Sequence, residues 1–415
     1  MRNFRFFGPA ASAVLSPVAR RYLTRRNLFR YGGGLTLLAS GLITVQGLRT
    51  GVWETGSGPA YEPWDDWNTD NSRTLMPIVR AGILAANSHN TQPWQFRVRR
   101  RSILVYAETT RAMNTYDPFM RELCISLGCA IENMDLAARA QGFTPTHRYV
   151  TGNLPFKSKS NGLALAAKIE VTPSRKRALK RYFVIPSRRT NRGPYKDRAV
   201  RNSFLQKLTV IGNSDKDISL KFYETGGERQ QIDNIILSAT RDMVADTEMM
   251  TEQRAWIRLN QDAIEKFRDG PTIDTMGLNK LSRALAKMLP EPSADEMDEK
   301  WFEATKEVHL GATPVIGLFS MHNPYDKSQC LRLGRIWQKI HLNCTIEHMA
   351  VHPLNQPFKM VDREFQRRQD PRNKRLLKEL IGTQNRHGAF AFRIGRAEHE
   401  TSHSPRRPVS KVIIP

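Results

Sequence analysis

Two stretches, about 118–141 and 327–350, are long and apolar enough to be central helices, and they constrain the fold more than any other feature. In the first, Leu123, Leu127, Ala130, Ile131, Met134, Ala137 and Ala138 make a broad apolar face. Asp117-Pro118 supplies a carboxylate cap and a proline for the first turn, and Gly142 suits the position just past the end. Gly128 and the alanines permit close approach of another helix. In the second, Leu331, Leu333, Ile336, Trp337, Ile340, Cys344, Ile346 and Met349 form the apolar set. Each is followed by a loop and a strand. At 415 residues the chain exceeds one ordinary domain, and this repetition points to two halves.

A polar loop precedes the first of these helices. Residues 74–86 read as an amphipathic helix, with Leu75, Ile78, Val79, Gly82, Ile83 and Ala86 at helical spacing. Ser88-His89-Asn90-Thr91-Gln92-Pro93 then breaks it, and Trp94, Phe96 and Val98 alternate with Gln95, Arg97 and Arg99 as in a half-buried strand. Carboxamides both donate and accept, so Asn90 and Gln92 suit the edge of a flat heteroaromatic ring. A capped helix followed by an ordinary turn explains the same residues. After a turn at 99–102, residues 103–106 complete a hairpin, and 163–171 is a further strand. Residues 61–73, with Trp64 and Trp67, read as a connecting segment.

The second half carries a different cluster. Arg188, Arg189, Thr190 and Arg192 place three guanidinium groups and a hydroxyl within five positions, a set that pairs well with phosphate oxygens. A solvated basic turn is the plainer alternative. Helix at 201–208, strand at 218–223, helix from about 227 to 260, strands at 314–319 and 389–394 and a basic tail follow. Residues 261–298 are polar and punctuated by Met, Gly and Pro, as expected of a lid or arm.

Charge favours anionic partners: 64 Lys and Arg stand against 40 Asp and Glu, a net +24. There is no zinc spacing or RNP-like motif, so no specific nucleic-acid partner is expected. Cys124, Cys129, Cys330 and Cys344 make no metal motif, and no metal is expected. Residues 1–53 lack Asp and Glu. They contain Thr24-Arg25-Arg26-Asn27-Leu28-Phe29-Arg30 followed by an apolar run from Tyr31 to Leu48. This resembles a bacterial twin-arginine export signal, although a mitochondrial presequence is also Arg-rich and acid-poor. Residues 1–60 are therefore expected to be a leader, cleaved near Ala60, or an N-terminal anchor with membrane contact. The protein would then lie in the periplasm or on the periplasmic face of the inner membrane, with the cytoplasm as the alternative.

In order along the chain, Ser88–Phe96, Asp117–Gly142, Arg188–Tyr195, Gln253–Arg258, Leu354–Pro357 and Arg393–Pro408 resemble the flavin-dependent nitroreductase superfamily, in particular its single-chain, doubled, Acg-type branch. The resemblance implies an α+β fold, a mixed and mostly antiparallel sheet flanked by helices. Its two halves, 61–175 and 176–415, would form a pseudo-dimer. It implies FMN as cofactor, with Arg188, Thr190 and Arg192 on the phosphate and ribityl chain. Ser88, Asn90 and Gln92 would lie near the isoalloxazine, in a motif one residue shorter than the family's between Ser and Asn. Arg406 and Arg407 would close on the phosphate. The implied activity is two-electron reduction of a nitroaromatic, quinone or similar acceptor, with NAD(P)H, a quinol or a protein as donor. The alternative is a non-catalytic FMN-holding protein with a covered site. No side-chain acid or base is required, so no catalytic residue is named; His89 reads as a structural loop histidine or a proton donor.

Overall fold

The computed structural model describes residues 52, 55–68, 74–383 and 385–415. The twin-arginine stretch and the apolar run after it lie outside these residues. Among the described residues no helix is long and apolar enough to cross a membrane.

The first half begins with α1 (Glu62–Asp65) and α2 (Met76–Gly82), then β1 (Trp94–Arg99) and β2 (Ser102–Glu108). The long helix α3 (Arg121–Ala140) and strands β3 (Phe143–Tyr149) and β4 (Leu163–Pro173) complete it. The second half contains α4 (Asn202–Gly212), β5 (Ile218–Tyr223), α5 (Gly226–Ala245) and α6 (Thr247–Ala255). An arm follows with α7 (Gln261–Phe267) and α8 (Lys280–Met288), then α9 (Ala294–Glu303). β6 (Val315–Met321), α10 (Lys327–Ile346), β7 (Ala350–Pro353), α11 (Gln356–Gln366), α12 (Arg372–Ile381) and β8 (His387–Gly395) end it.

The halves repeat one topology. Their strand orders are β1-β2-β4-β3 and β5-β6-β8-β7, with every neighbouring pair antiparallel. Each sheet carries its register shift in the corresponding pair, at Val105/Tyr106 and at Phe319/Ser320. α3 and α10 are both 20 residues long, and each has a glycine as its eighth residue. The helices cross at those glycines. A Cβ on Gly128 would lie 2.2 Å from the Leu331 carbonyl oxygen, and one on Gly334 2.0 Å from that of Ile125. The doubled α+β architecture thus rests on backbone contact between the halves, and one continuous apolar core spans both.

Several boundaries differ from the sequence reading for local reasons. α3 starts at Arg121, after Met120 in a left-handed conformation, rather than at Pro118. Asp117 still caps it from a distance, accepting from the Glu122 and Leu123 amides at 3.2 and 2.9 Å. The helix expected from 227 to 260 breaks at Asp246, whose side chain caps the next one. β3 escaped detection because Phe143–Tyr149 has little apolar alternation. Tyr61, Trp64 and Trp67 are core residues rather than a connector, and Ala60 is buried with them. Finally, the C-terminal tail pairs in parallel with β1: the Phe96 amide donates to Val412 O, and the Ile414 amide to Phe96 O. The end of the second half is therefore fixed to the sheet of the first.

Candidate functional site

The loop between α2 and β1 is held in an unusual backbone shape. His89, Asn90 and Gln92 have φ of 47°, 51° and 49°, a left-handed region that side chains normally avoid. Local bonds maintain it: the Gln92 amide donates to the Asn87 side chain at 2.9 Å, and the Thr91 hydroxyl to Ser88 O at 3.0 Å. The result turns the Asn90 and Gln92 carboxamides, both buried, toward the second half of the chain.

There they meet the tail and the arm. Asn90 Nδ2 donates to Pro405 O at 2.9 Å and Gly270 O at 3.2 Å, while its Oδ1 accepts from Arg406. Gln92 Nε2 donates to Arg268 O at 2.8 Å, and its Oε1 accepts from the Arg407 amide. Ser88 points elsewhere, donating to Glu122 at the start of α3.

Arg188 and Arg406 lie side by side on the backbone just before this loop. Arg188 Nε donates to Leu84 O at 3.4 Å and Arg406 donates to Ala85 O at 3.2 Å. Both are buried, at 4% and 1% exposure, and both face the Trp64 ring, at 5.7 and 4.6 Å. Trp64 in turn stacks on His403 at 4.3 Å. Arg192 donates to Thr275 O in the arm at 3.1 Å. Its turn is clamped from below by Arg393, which donates to Gly193 O at 2.8 Å.

The electrostatics of this group are one-sided. Among the described residues no carboxylate forms an ion pair with Arg188, Arg192 or Arg406. Burial pushes Arg188 and Arg192 down to about 10, with nearby guanidinium groups adding to the effect, and burial beside Arg188 pushes Arg406 well down. Arg406 Nε has no partner among the described residues. Unpaired buried cations are costly unless an anion joins them, so the chemistry of this donor set fits a phosphate. Arg407 differs, because Glu108 pairs with it at 2.8 Å. Thr190 is half-buried beside the cluster and makes no side-chain hydrogen bond among the described residues.

The structure thus brings Asn90, Gln92, Arg188, Arg192, Arg406 and Arg407 together and turns Ser88 away. Sequence reasoning missed Trp64, Arg393 and Asp269. The aromatic density of Tyr61–Trp67 was a usable signal for the first; nothing local marked the others. A separate cleft of about 460 Å³ opens at the start of α5, but Arg229 at its floor is already paired with Asp233. No group of metal-ligating side chains occurs among the described residues.

No family model matches the chain. Over 151 residues it is 26% identical to a protein of Mycobacterium tuberculosis, found in two strains, whose name assigns it as an NAD(P)H nitroreductase; the match covers 34% of this chain and 38% of that protein. The chain therefore spans little more than a third of the length of the curated relatives it matches. The solved structures similar to it include NfnB from Sphingopyxis sp. strain HMH, an FMN- and NADPH-dependent nitroreductase, at TM-score 0.38 and 14% identity, covering 57% of this chain and 98% of that one. NfnB from Mycobacterium smegmatis, an FMN-dependent nitroreductase in complex with NADPH, gives 0.36 and 15%, covering 56% and 96%. The sequence match supports a nitroreductase-like relationship at superfamily level.

Proposed function

We propose that the protein binds one FMN per chain and is a nitroreductase-like oxidoreductase. The observation that carries this reading is the set Arg188, Arg192 and Arg406, the first and last buried and Arg192 half-buried, which has no carboxylate partner among the described residues and needs a dianion to balance it. Those three side chains would hold the phosphate, with the Thr190 hydroxyl beside them. Trp64 keeps two like charges adjacent by presenting its ring face to both. Asn90 and Gln92 are buried within bonding distance of the same tail and would meet the polar edge of the ring. When bound, FMN would supply two-electron chemistry, taking electrons from NAD(P)H, a quinol or a protein and passing them to a nitroaromatic, quinone or similar acceptor. The chain's own contribution is binding, orientation and a positive environment that favours the reduced anionic ring. The leader adds a placement in the periplasm or at the periplasmic face of the inner membrane, with membrane contact through residues 31–48.

A second reading, FMN held without turnover, is favoured by one feature. The arm supplies Arg268 O, Gly270 O and Thr275 O as acceptors for Gln92, Asn90 and Arg192, so it covers the same side chains. The visible spectrum of the purified protein, with the released cofactor identified and donors then added, tests both readings. Bound FMN that is reduced by a donor supports the oxidoreductase. Bound FMN that no donor reduces supports the covered site. A colourless protein with no FMN affinity ends both.

A further inference from the structure

Ser88, which faces away from the arginine cluster, opens a second chain of contacts. Its hydroxyl lies 2.5 Å from Glu122 Oε2, and Lys359 Nζ lies 2.7 Å from the same oxygen. Glu122 belongs to the first half and Lys359 to the second; both are buried. Against the burial that would raise it, Lys359 and the Ser88 hydrogen bond hold the Glu122 carboxyl below its ordinary value, so it is an acceptor. Two oxygens at 2.5 Å need a proton between them, and an ionised carboxylate has none to give. The Ser88 proton is therefore committed to Glu122.

This fixes the neighbouring imidazole. Ser88 Oγ also lies 3.2 Å from His89 Nδ1. With its one proton spent, the hydroxyl can only accept, so His89 carries its proton on Nδ1 and Nε2 is left bare. Tyr116 holds the ring plane from the other side, edge to face at 4.7 Å, and Lys359 sits over the same tyrosine at 4.1 Å. Nε2 makes no hydrogen bond among the described residues, and His89 is mostly but not wholly buried between Ser88 and Asn90. The charged groups that act on it are Glu122, Lys359 and Arg192; burial, with both cations, pushes the imidazole down to about 3. It is neutral at ordinary pH.

We infer that His89 is a specificity-determining hydrogen-bond acceptor of this site, with Ser88 and Glu122 as its positioning residues, and that it selects small aromatic ligands presenting an O–H or N–H, such as a hydroquinone, over those presenting only carbonyl oxygens. This rests on the reading of the 88–92 loop as part of a ligand site. Glu122 sets the polarity. Removing its oxygens frees the Ser88 proton to donate to Nδ1, which moves the imidazole proton to Nε2 and turns an acceptor into a donor.

The test uses the full chain without cofactor. Nitrogen NMR of His89 shows the proton on Nδ1 in the wild type and on Nε2 in Glu122→Leu, which leaves Ser88 no acceptor at position 122. Ser88→Thr keeps the wild-type pattern and Ser88→Ala loses it, which covers the case of Glu122→Leu failing to fold. Titration with duroquinol and duroquinone, followed at the His89 resonances, gives a preference for the quinol of about tenfold, the scale of one hydrogen bond. Glu122→Leu abolishes or reverses that preference. A wild-type proton on Nε2, equal affinities for the two ligands, or no binding of duroquinol overturns the inference. FMN binding is measured separately: its absence with the stated tautomer and preference defeats the cofactor reading and leaves the assignment of His89 standing.

Discussion

The guanidinium of Arg406 lies on the side-chain oxygen of Asn90, joining the C-terminal tail to the loop that enters β1 across 316 residues of sequence. Two facts make the contact more than a tie between segments. The carboxamide satisfies only part of a cation that is 1% exposed, and Arg188 lies beside it with the same deficit. A fold that buries two adjacent guanidinium groups without a carboxylate is less stable for it, unless a ligand supplies the charge.

Stability and ligand affinity should therefore move in opposite directions here. Arg188→Met keeps the packing against Trp64 and removes one buried charge. The cofactor-free protein should melt higher than the wild type, while FMN affinity falls by about 1.5–3 kcal/mol, the scale of a charge-assisted hydrogen bond. Thermal melts and flavin titration of the two proteins check this. Lower stability together with unchanged affinity would remove Arg188 from the phosphate site.

The crossing of α3 and α10 predicts a different kind of sensitivity. Gly128→Ala puts a methyl group where the Leu331 carbonyl already stands, and neither helix can move without disturbing both sheets. The expected loss is about 3 kcal/mol or more, and unfolding should remain a single transition because the core spans both halves. Two separate denaturant transitions would show that the halves are independent.

These cases mark what the residues reveal on their own. The central helices were legible because an apolar face repeated at helical spacing over many turns is hard to mistake. Asn90, Gln92, Arg188 and Arg192 were legible as chemistry, since amides and guanidinium groups cluster in few positions. Their convergence was not, because it depends on the tail pairing with Phe96 and on the arm folding over the loop, both contacts between segments far apart in the chain. Trp64 was misjudged for a related reason: its role is set by Arg188, His403 and Arg406, and nothing within 61–73 announces them.

The buried histidines give a pH dependence with a definite sign. Burial pushes His403 down to about 3 and His147 to about 4, and His309, His341 and His352 fall well below their ordinary value. The unfolded chain takes up these protons near pH 6.5 while the folded chain does not, so stability is lost as pH falls from about 6.5 toward 3. Asp117, raised to about 6 by burial and by Glu122, opposes the trend, as do Glu132, Asp233, Asp362 and Glu364, which burial raises, so the sign is read at a single histidine. His403→Phe preserves the stack on Trp64 and gives up the bond to Pro186 O. It should melt below the wild type at pH 8, and the gap should close by about 2 kcal/mol by pH 5. A gap that stays constant with pH would mean His403 is not held neutral.

The arm offers a way to separate turnover from mere holding of a ligand. Asp269 is its latch: the carboxylate takes Arg258 at 2.7 Å from within the second half and Arg111 from the first half. The two arginines flank Trp256, at 5.8 and 5.2 Å, so one buried carboxylate fixes three side chains. Asp269→Asn removes the charge and keeps the shape. Breaking a buried pair of this kind leaves its cations uncompensated, and the local cost is about 3 kcal/mol or more. Opening should centre on the part of the arm beyond Ile264, which itself packs into the main core, because no residue of the arm belongs to either sheet or to the α3–α10 crossing. Limited proteolysis should then cut within 261–298 faster than in the wild type while the thermal midpoint of the core changes little. FMN release should quicken with it, since Gln92 and Asn90 lose the cover provided by Arg268 O and Gly270 O. If donors reduce the flavin in Asp269→Asn and not in the wild type, the arm is what withholds turnover. If the arm is cut faster and FMN release stays at the wild-type rate, the arm does not cover the ligand, and the second reading falls.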